Sequence, residues 1–170
     1  MTFTAIATAA AAMLAIAYGA GQFMSRQIAT EITIDAPASV VWQTLVETDS
    51  YADWNPFIRK LNGTLVQGER LAATIAPEGK SPMDFSPQVL VADENRELRW
   101  VGRLVLPGLF DGEHYFVLEE AGGKTTFRHG ETFRGVLVYP LLALIGESTE
   151  TGFNAMNVAL KARAEAAAQS

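Results

Sequence analysis

The stretch from Glu31 to Phe57, EITIDAPASVVWQTLVETDSYADWNPF, decides the fold of this protein. Its opening residues EITID alternate polar with β-branched apolar side chains, which predicts a β-strand. The Ala-Pro-Ala that follows ends the strand, because proline interrupts regular backbone hydrogen bonding. The chain therefore passes from a strand directly into helical sequence.

Two short helices are predicted after this strand. Ser39 is expected to cap a helix that runs from Val40 to about Glu47. Thr48-Asp49-Ser50 offers a second helix start, and a short helical turn follows from Tyr51 to Trp54. Pro56 ends that turn, because the residue before a proline avoids the α region.

The middle of the chain carries turn residues at regular intervals, among them Gln67-Gly68 and Gly122-Gly123. Short apolar or alternating runs with turn chemistry between neighbours predict an antiparallel meander. The candidate strands span residues 57–66, 70–76, 84–92, 97–105, 113–120 and 125–134.

The C-terminal part predicts one long amphipathic helix, because apolar and small residues recur there at steps of three and four. The residues of this stripe are Leu142, Ile145, Thr149, Phe153, Met156, Leu160 and Ala164. We therefore predict an α+β fold in which a seven-stranded curved antiparallel sheet wraps around the C-terminal helix, preceded by an N-terminal apolar helix. The space between the sheet and the C-terminal helix is the natural ligand site.

Gly122-Gly123 fixes the register of the last two strands. Two glycines between alternating runs tolerate positive φ at both turn positions and so predict a two-residue hairpin. Ala121 then pairs with Lys124, and His114 pairs with Glu131. The more apolar face of this hairpin, which we assign to the interior, carries His114, Phe116, Leu118, Phe127, His129, Glu131 and Phe133.

Both histidines of the chain and Glu131 are therefore expected to lie together on the inner face. Burying such groups costs free energy unless they hydrogen-bond to one another, to a ligand or to water. Three interpretations stay open: a structural polar network, the polar end of an apolar ligand cavity, and a catalytic pair in which Glu131 sets the basicity of a histidine. A metal site has less support, since adjacent strands lack the short helical spacing of a specific metal motif.

The walls of the cavity are predicted from large side chains as well as from this polar cluster. Trp54 lies beside Asn55 and Pro56, where a loop at the entry to the sheet would gate access. The predicted ligand-binding residues are His114, Phe116, Phe127, His129, Glu131, Phe133, Trp54, Trp100, Phe85, Phe153 and Met156. No catalytic residue, metal or cofactor is predicted.

Residues 1–26 form a separate apolar segment ahead of a domain at residues 29–168. Residues 3–24 are uncharged, and as a helix they would be ~33 Å long, enough to cross a bilayer core. This predicts a single membrane anchor, and Arg26 weakly favours a cytoplasmic domain. The alternatives are a cleaved signal peptide, which would give a secreted or periplasmic protein, and an apolar helix packed on a protein surface.

Composition excludes several function classes. The net charge of −6 and the pI near 4.9 argue against nucleic-acid binding, because there is no basic surface to neutralise phosphates. The absence of cysteine removes disulfides, iron–sulfur clusters and thiol nucleophiles. The chain also lacks the GxSxG, P-loop and GxGxxG motifs.

The opening stretch, together with GEHYFVLEE, FRHGETFRG and GFNAMNVALKARAE, resembles the SRPBCC superfamily of START-like helix-grip proteins, and within it the polyketide cyclase/dehydrase-like branch. The likeness covers about Glu31 to Glu165. It implies a strand, two helices, a six-stranded meander and a long helix gripping the sheet, with a deep cavity for an apolar or aromatic ligand. The superfamily includes lipid carriers, hormone receptors and ring-closing cyclases, so membership does not choose among functions.

We expect a membrane-tethered binding or carrier domain for a lipid or another hydrophobic small molecule, held between the sheet and the C-terminal helix. One alternative is a polyketide cyclase or dehydratase-like enzyme that uses a histidine–glutamate pair. Another is a non-enzymatic subunit of a membrane assembly. Of these, binding is favoured over catalysis.

Overall fold

The structure is a computed structural model that describes residues 23–169 and, ahead of them, Thr8, Ala9, Ala12, Met13, Ala15, Tyr18 and Gly19. The predicted N-terminal helix, as anchor or signal over residues 3–24, therefore lies largely outside the described residues. Within the part of the chain that is described, no helix is long and apolar enough to cross a membrane.

In the part of the chain that is described, eight strands and three helices follow the predicted order, with one predicted strand divided in two. The strands are β1 Ser25–Ile34, β2 Ile58–Asn62, β3 Ala72–Ile75, β4 Met83–Phe85, β5 Gln88–Asp93, β6 Glu97–Arg103, β7 Asp111–Ala121 and β8 Lys124–Arg134. The helices are α1 Ala38–Val46, α2 Tyr51–Trp54 and α3 Val138–Ala168, with one 3-10 turn at Thr48–Ser50.

The first helix begins earlier than predicted, and Pro37, not Ser39, is its N-cap. The backbone of Pro37 is extended (φ −62°, ψ 153°), and its carbonyl accepts the N–H groups of Val40 and Val41. The Ala38 N–H donates instead to Glu120 Oε2 on β7, at 2.8 Å. The cap prediction for Ser39 was wrong because a distant strand supplies the acceptor that a local side chain would otherwise provide.

The strands form two antiparallel sheets, with the orders β1-β8-β7-β6-β5 and β2-β3-β4. The helix-grip arrangement is confirmed, but the predicted strand 84–92 is divided into β4 and β5 around Pro87. Proline has no N–H for a ladder, so the chain bends there. The sheets stay joined by the bridge Arg70↔Gln88 and by the Leu71 N–H, which donates to the Pro87 carbonyl at 2.9 Å.

The β7–β8 hairpin has the predicted register. Ala121 pairs with Lys124 and His114 pairs with Glu131. Gly122 and Gly123 have φ of +60° and +75°, which is the conformation that the two-residue turn requires. The face assigned to the interior is buried or, at Glu131, half-buried.

Helix α3 buries the predicted stripe against the concave side of the sheet. From Thr149 to Ala164 every residue of the stripe is buried, whereas Leu142 and Ile145 are half-buried. The same face also buries Gly152 and Asn157, which the apolar pattern did not mark.

Gly152 lets α3 approach the ring of Phe57. A Cβ built on Gly152 would overlap that ring, while a Cβ on Gly146 in the same helix meets nothing within 4 Å. We expect Gly152→Ala to lower the free energy of unfolding by about 1–2 kcal/mol, since overpacking outweighs the gain in helix propensity. Gly146→Ala is the matched control and should raise it by about 0.5–1 kcal/mol.

Urea unfolding of the two variants measures both effects. Equal stabilisation by both substitutions would contradict the close approach of Gly152 to Phe57.

Candidate functional site

A cavity of about 260 Å³ lies between α3 and the two sheets. This volume is slightly below the ~300–1,000 Å³ typical of sites for drug-sized ligands, so the cavity suits a compact molecule. Its wall is largely apolar, and its polar groups belong to Arg103, His114, Glu131, Thr149 and the indole of Trp100. The lining residues are Phe57, Ile58, Ala73, Ile75, Pro77, Met83, Phe85, Pro87, Trp100, Gly102, Arg103, Leu104, Phe110, Gly112, His114, Glu131, Phe133, Leu141, Ile145 and Thr149.

The structure divides the predicted ligand-binding residues into two groups. Five of them line the cavity: Phe85, Trp100, His114, Glu131 and Phe133. The other six do not line it and lie buried or, for Trp54, partly buried around it: Trp54, Phe116, Phe127, His129, Phe153 and Met156. Trp54 packs edge-on against Tyr51 in α2, with ring centroids 5.2 Å apart. Ligand binding by any of these side chains stays a prediction.

A pair of glycines that sequence reasoning missed shapes the polar end of the cavity. Gly102 on β6 and Gly112 on β7 face each other in register, and both line the cavity. A Cβ on Gly112 would overlap Glu131 Oε1, so the missing side chain makes room for the carboxyl group. Glycine within a strand is a known signal of such close approach, and this signal was available in the sequence.

Glu131 is the outer end of a line of hydrogen-bonded side chains. Glu131 Oε2 lies 3.4 Å from His114 Nδ1, and His114 Nε2 lies 2.9 Å from His129 Nε2. On the far side of that ring, His129 Nδ1 lies 2.9 Å from Asn157 Oδ1 on α3. The hydrogen bonds thus run from the cavity wall, across the inner face of β7 and β8, to the C-terminal helix.

The line ends on β1. Asn157 Nδ2 donates to Thr30 Oγ1 at 2.8 Å, and Thr30 Oγ1 donates to the His129 carbonyl at 2.9 Å. We call Thr30, His114, His129, Glu131 and Asn157 the polar network. Thr30 and Asn157 were not predicted as site residues, because neither belongs to a recognisable sequence motif. They contact the histidines only after β1 and α3 have packed against β8.

Aromatic rings enclose the two histidines. Trp100 stacks on His114 with ring centroids 5.0 Å apart and planes 7° apart. Phe153 stacks on His129 with centroids 4.1 Å apart. The imidazoles are therefore shielded from water by apolar surfaces, and their polar atoms depend on the network for hydrogen bonds.

Burial keeps the titratable members of the polar network uncharged at neutral pH. It lowers the pKa of His114 to about 3, and burial together with the neighbouring His114 lowers the pKa of His129 well below its usual 6.5. Burial raises the pKa of Glu131 to about 8. The Glu131 side chain keeps 17% of its surface exposed, and it lines the cavity. The cavity therefore faces a carboxylic acid and a neutral imidazole, not an ion pair.

The sequence and the fold agree with one family. A profile of the family described as polyketide cyclase/dehydrase and lipid transport matches residues 25–165. The chain belongs to this family. Membership in the polyketide cyclase/dehydrase and lipid transport family confirms the resemblance seen in the sequence and indicates a hydrophobic-ligand-binding or polyketide cyclase-like domain. No curated protein matches the chain significantly.

Solved structures similar to this one share its fold at low sequence identity. The ZhuI aromatase/cyclase from Streptomyces sp. R1128 is 17% identical, with 85% of this chain and 98% of that chain covered and a TM-score of 0.63. A point mutant of norcoclaurine synthase from Thalictrum flavum, in complex with a transition-state analogue, is 15% identical, with 86% and 98% covered and a TM-score of 0.66.

A larger protein also contains this fold. The di-domain aromatase/cyclase BexL, from the BE-7585A biosynthetic pathway, is 16% identical to this protein with a TM-score of 0.63. The match covers 98% of this chain but only 59% of BexL, so this protein spans little more than half the length of BexL. At these identities the likeness shows the fold alone.

The neutral state of Glu131 makes stability depend on pH. The native state keeps the Glu131 proton up to about pH 8, whereas a glutamate at its ordinary pKa of 4.5 loses it earlier. Native protein therefore binds more protons in this window, and its stability falls as pH rises. Relative to E131Q, we expect the free energy of unfolding to fall by up to about 1.4 kcal/mol per pH unit between about pH 5 and 8.

Urea unfolding of both proteins at a series of pH values measures this difference. The glutamine variant is the internal control, since every other titrating group is shared. A difference that does not vary with pH would mean that Glu131 is already ionised in the native protein.

Proposed function

We propose that this domain binds a compact, largely apolar molecule in the cavity between α3 and the sheets, and that it does so beside a membrane. The observation that carries the proposal is the cavity itself, about 260 Å³ with apolar walls and the Glu131–His114 pair at one end. A ligand would gain roughly 25 cal/mol for each Å² of apolar surface removed from water. The polar pair would orient it.

The size of the cavity favours a single or fused ring, or the end of one acyl chain, over a whole two-chain lipid. Phe85, Trp100 and Phe133 place aromatic faces on its wall. Flat rings stack well on such faces. This supports a small aromatic or alicyclic ligand.

The membrane part of the proposal rests on the surface beside the cavity mouth. The loop Leu104–Leu106 exposes three consecutive apolar side chains, and Val105 keeps 83% of its surface exposed at a φ of +61°. A β-branched residue is rarely found in that left-handed region. Leu104 also lines the cavity, so the exposed apolar surface is continuous with the ligand site.

The N-terminal segment reaches the domain at the same end. The Gly135 N–H, just before α3, donates to the Met24 carbonyl at 3.1 Å. The ring of Tyr18 lies against Gly108, in the loop that carries Val105. An anchor formed by residues 3–24 would therefore hold the cavity mouth towards the bilayer, where a hydrophobic ligand partitions.

A second candidate is a proton-transfer enzyme, as in the cyclase alternative. The observation that favours it is a carboxylic acid, Glu131, with a pKa of about 8, facing a ligand cavity. Such a group is poised near neutral pH for general acid or base work. Turnover of a molecule extracted from the purified protein would be its signature.

Filling the cavity tests ligand binding. A Cβ on Gly102 meets nothing within 4 Å, so a side chain there enters open space on the cavity wall. We expect Gly102→Phe to lower the amount of apolar molecule that co-purifies with the full chain at least tenfold, which corresponds to about 1.4 kcal/mol of affinity. Mass spectrometry of solvent extracts measures it.

Val158→Phe is the matched control, because Val158 is 61% exposed on α3 and does not line the cavity. Equal occupancy of the two variants, or no co-purified molecule in the unaltered protein, would contradict the binding proposal.

The absence of native cysteine allows a direct test of membrane contact. We expect a polarity-sensitive dye on Val105→Cys to shift to the blue when the full chain is reconstituted in phosphatidylcholine vesicles, because the loop enters the interface. The same dye on Val158→Cys should stay in an aqueous environment. Identical emission at the two positions would argue against docking through the mouth.

A further inference from the structure

We infer that the cavity selects ligands that carry a hydrogen-bond donor, such as a hydroxyl, phenol or amine, and places that donor against Glu131 Oε1. Ligands of the same shape that can only accept, such as ketones and ethers, are disfavoured. The inference rests on the proposed ligand binding and adds the chemical class of the ligand. It follows from the direction of each hydrogen bond in the polar network.

The hydroxyl of Thr30, at the β1 end of the polar network, has one proton to donate. That proton goes to the His129 carbonyl, at 2.9 Å. Thr30 Oγ1 must therefore accept from its other neighbour, which fixes the Asn157 amide nitrogen towards Thr30 and the amide oxygen towards His129. The opposite orientation of the amide would set two acceptors against each other.

The orientation of the Asn157 amide then determines which nitrogen of each imidazole carries the proton. His129 Nδ1 faces an acceptor, Asn157 Oδ1, so it carries the proton, and in a neutral ring Nε2 must accept. His114 Nε2 therefore donates to His129 Nε2, and His114 Nδ1 is left as an acceptor. Its partner at 3.4 Å is Glu131 Oε2, which must supply the proton.

This order leaves Glu131 Oε1 as the carbonyl oxygen of a carboxylic acid. Its proton is committed inwards to His114, so the oxygen that faces the cavity accepts and does not donate. Among the described residues, no group donates a hydrogen bond to it. An ionised carboxylate would also only accept, so Glu131 Oε1 prefers a ligand donor in either protonation state.

Thr149 and His114, two other polar side chains of the lining, offer no free donor to a ligand. Thr149 donates its hydroxyl proton to the Ile145 carbonyl at 2.9 Å, so its oxygen is available only to accept. Both ring nitrogens of His114 are engaged within the polar network. Arg103 is a donor, but it is 40% exposed and faces Asp111, with its Nε 4.0 Å from Oδ2. The indole N–H of Trp100 is a further donor of the lining. Glu131 and Thr149 present only acceptors, and a ligand carbonyl placed against Glu131 Oε1 would stay unpaired.

Three molecules of nearly equal shape test this: indanol, which donates, indanone, which only accepts, and indane, which does neither. Titration of the full chain, followed by intrinsic tryptophan fluorescence, to which Trp100 on the cavity wall contributes, should give indanol at least a tenfold lower Kd than indanone. Equal affinity for indanol and indanone, or tighter binding of indanone, would overturn the inference and leave cavity binding intact. Failure of all three to bind would overturn cavity binding and the inference together.

Two substitutions at Glu131 separate recognition from folding. E131M removes the acceptor, and the indanol-to-indanone ratio should fall to about one. E131Q should restore the preference, because its amide can donate to His114 Nδ1 and leave its oxygen towards the cavity. Loss of the preference in both variants, with unchanged thermal unfolding, would overturn the role of the oxygen.

A third variant moves the Glu131 carboxyl group without changing its chemistry. Gly112→Ala places a methyl group where Glu131 Oε1 lies, so the carboxyl must move. We expect it to reduce the indanol preference at least threefold while the affinity for indane changes less. A larger loss for indane than for indanol would contradict the placement of the donor at Oε1.

Discussion

The hydrogen bond between His114 and His129 is the constraint on which the rest of the structure depends. Two imidazoles at 2.9 Å cannot both be charged, and neither has water as an alternative partner in the core. Each ring therefore needs a second partner of the correct polarity. Glu131 supplies one and Asn157 supplies the other, so one short contact between two strands determines residues on the cavity wall and on α3.

The same constraint explains why the strand register is so closely specified. A slip of one residue between β7 and β8 would move a histidine to the opposite face, where it would lose its partners. Gly122-Gly123 prevents this slip locally by fixing the turn. Thr30 on β1, on the other side of β8, also holds the register through its hydrogen bond to the His129 carbonyl. Local turn chemistry and long-range hydrogen bonding thus support the same pairing, as in sequences with little frustration.

Much of the fold could be predicted because short-range sequence patterns determine it. The hairpin register followed from two glycines, and the buried face of α3 followed from spacing alone. The division of the expected strand at Pro87 was visible in principle, but whether a proline bends or ends a strand depends on its neighbours in the sheet. Ser39 failed as a cap because Glu120 comes from β7, which no local rule could bring to the start of α1.

The candidate site was harder to predict than the fold, because its members meet only in the folded protein. Sequence parity placed His114 and Glu131 together correctly, yet it could not tell which inner-face residues border open space. Part of the cavity wall comes from β2, β3 and β4, a small separate sheet whose position beside the cavity has no signature in the sequence. Asn157 was missed because an amide beside an apolar stripe has many ordinary explanations.

The closure of the polar network bears on the choice between binding and catalysis. Its last proton, on Thr30, goes to the backbone carbonyl of His129, a residue already within the network. A line of hydrogen bonds that ends on a backbone carbonyl has no further acceptor to which a proton could pass, so it holds groups in place and does not carry protons to solvent. Proton exchange at Glu131 would therefore take place on the side that faces the cavity, with a ligand or with solvent. A network that holds one acceptor oxygen towards the cavity is built to orient the donor of a ligand, which is the function proposed above.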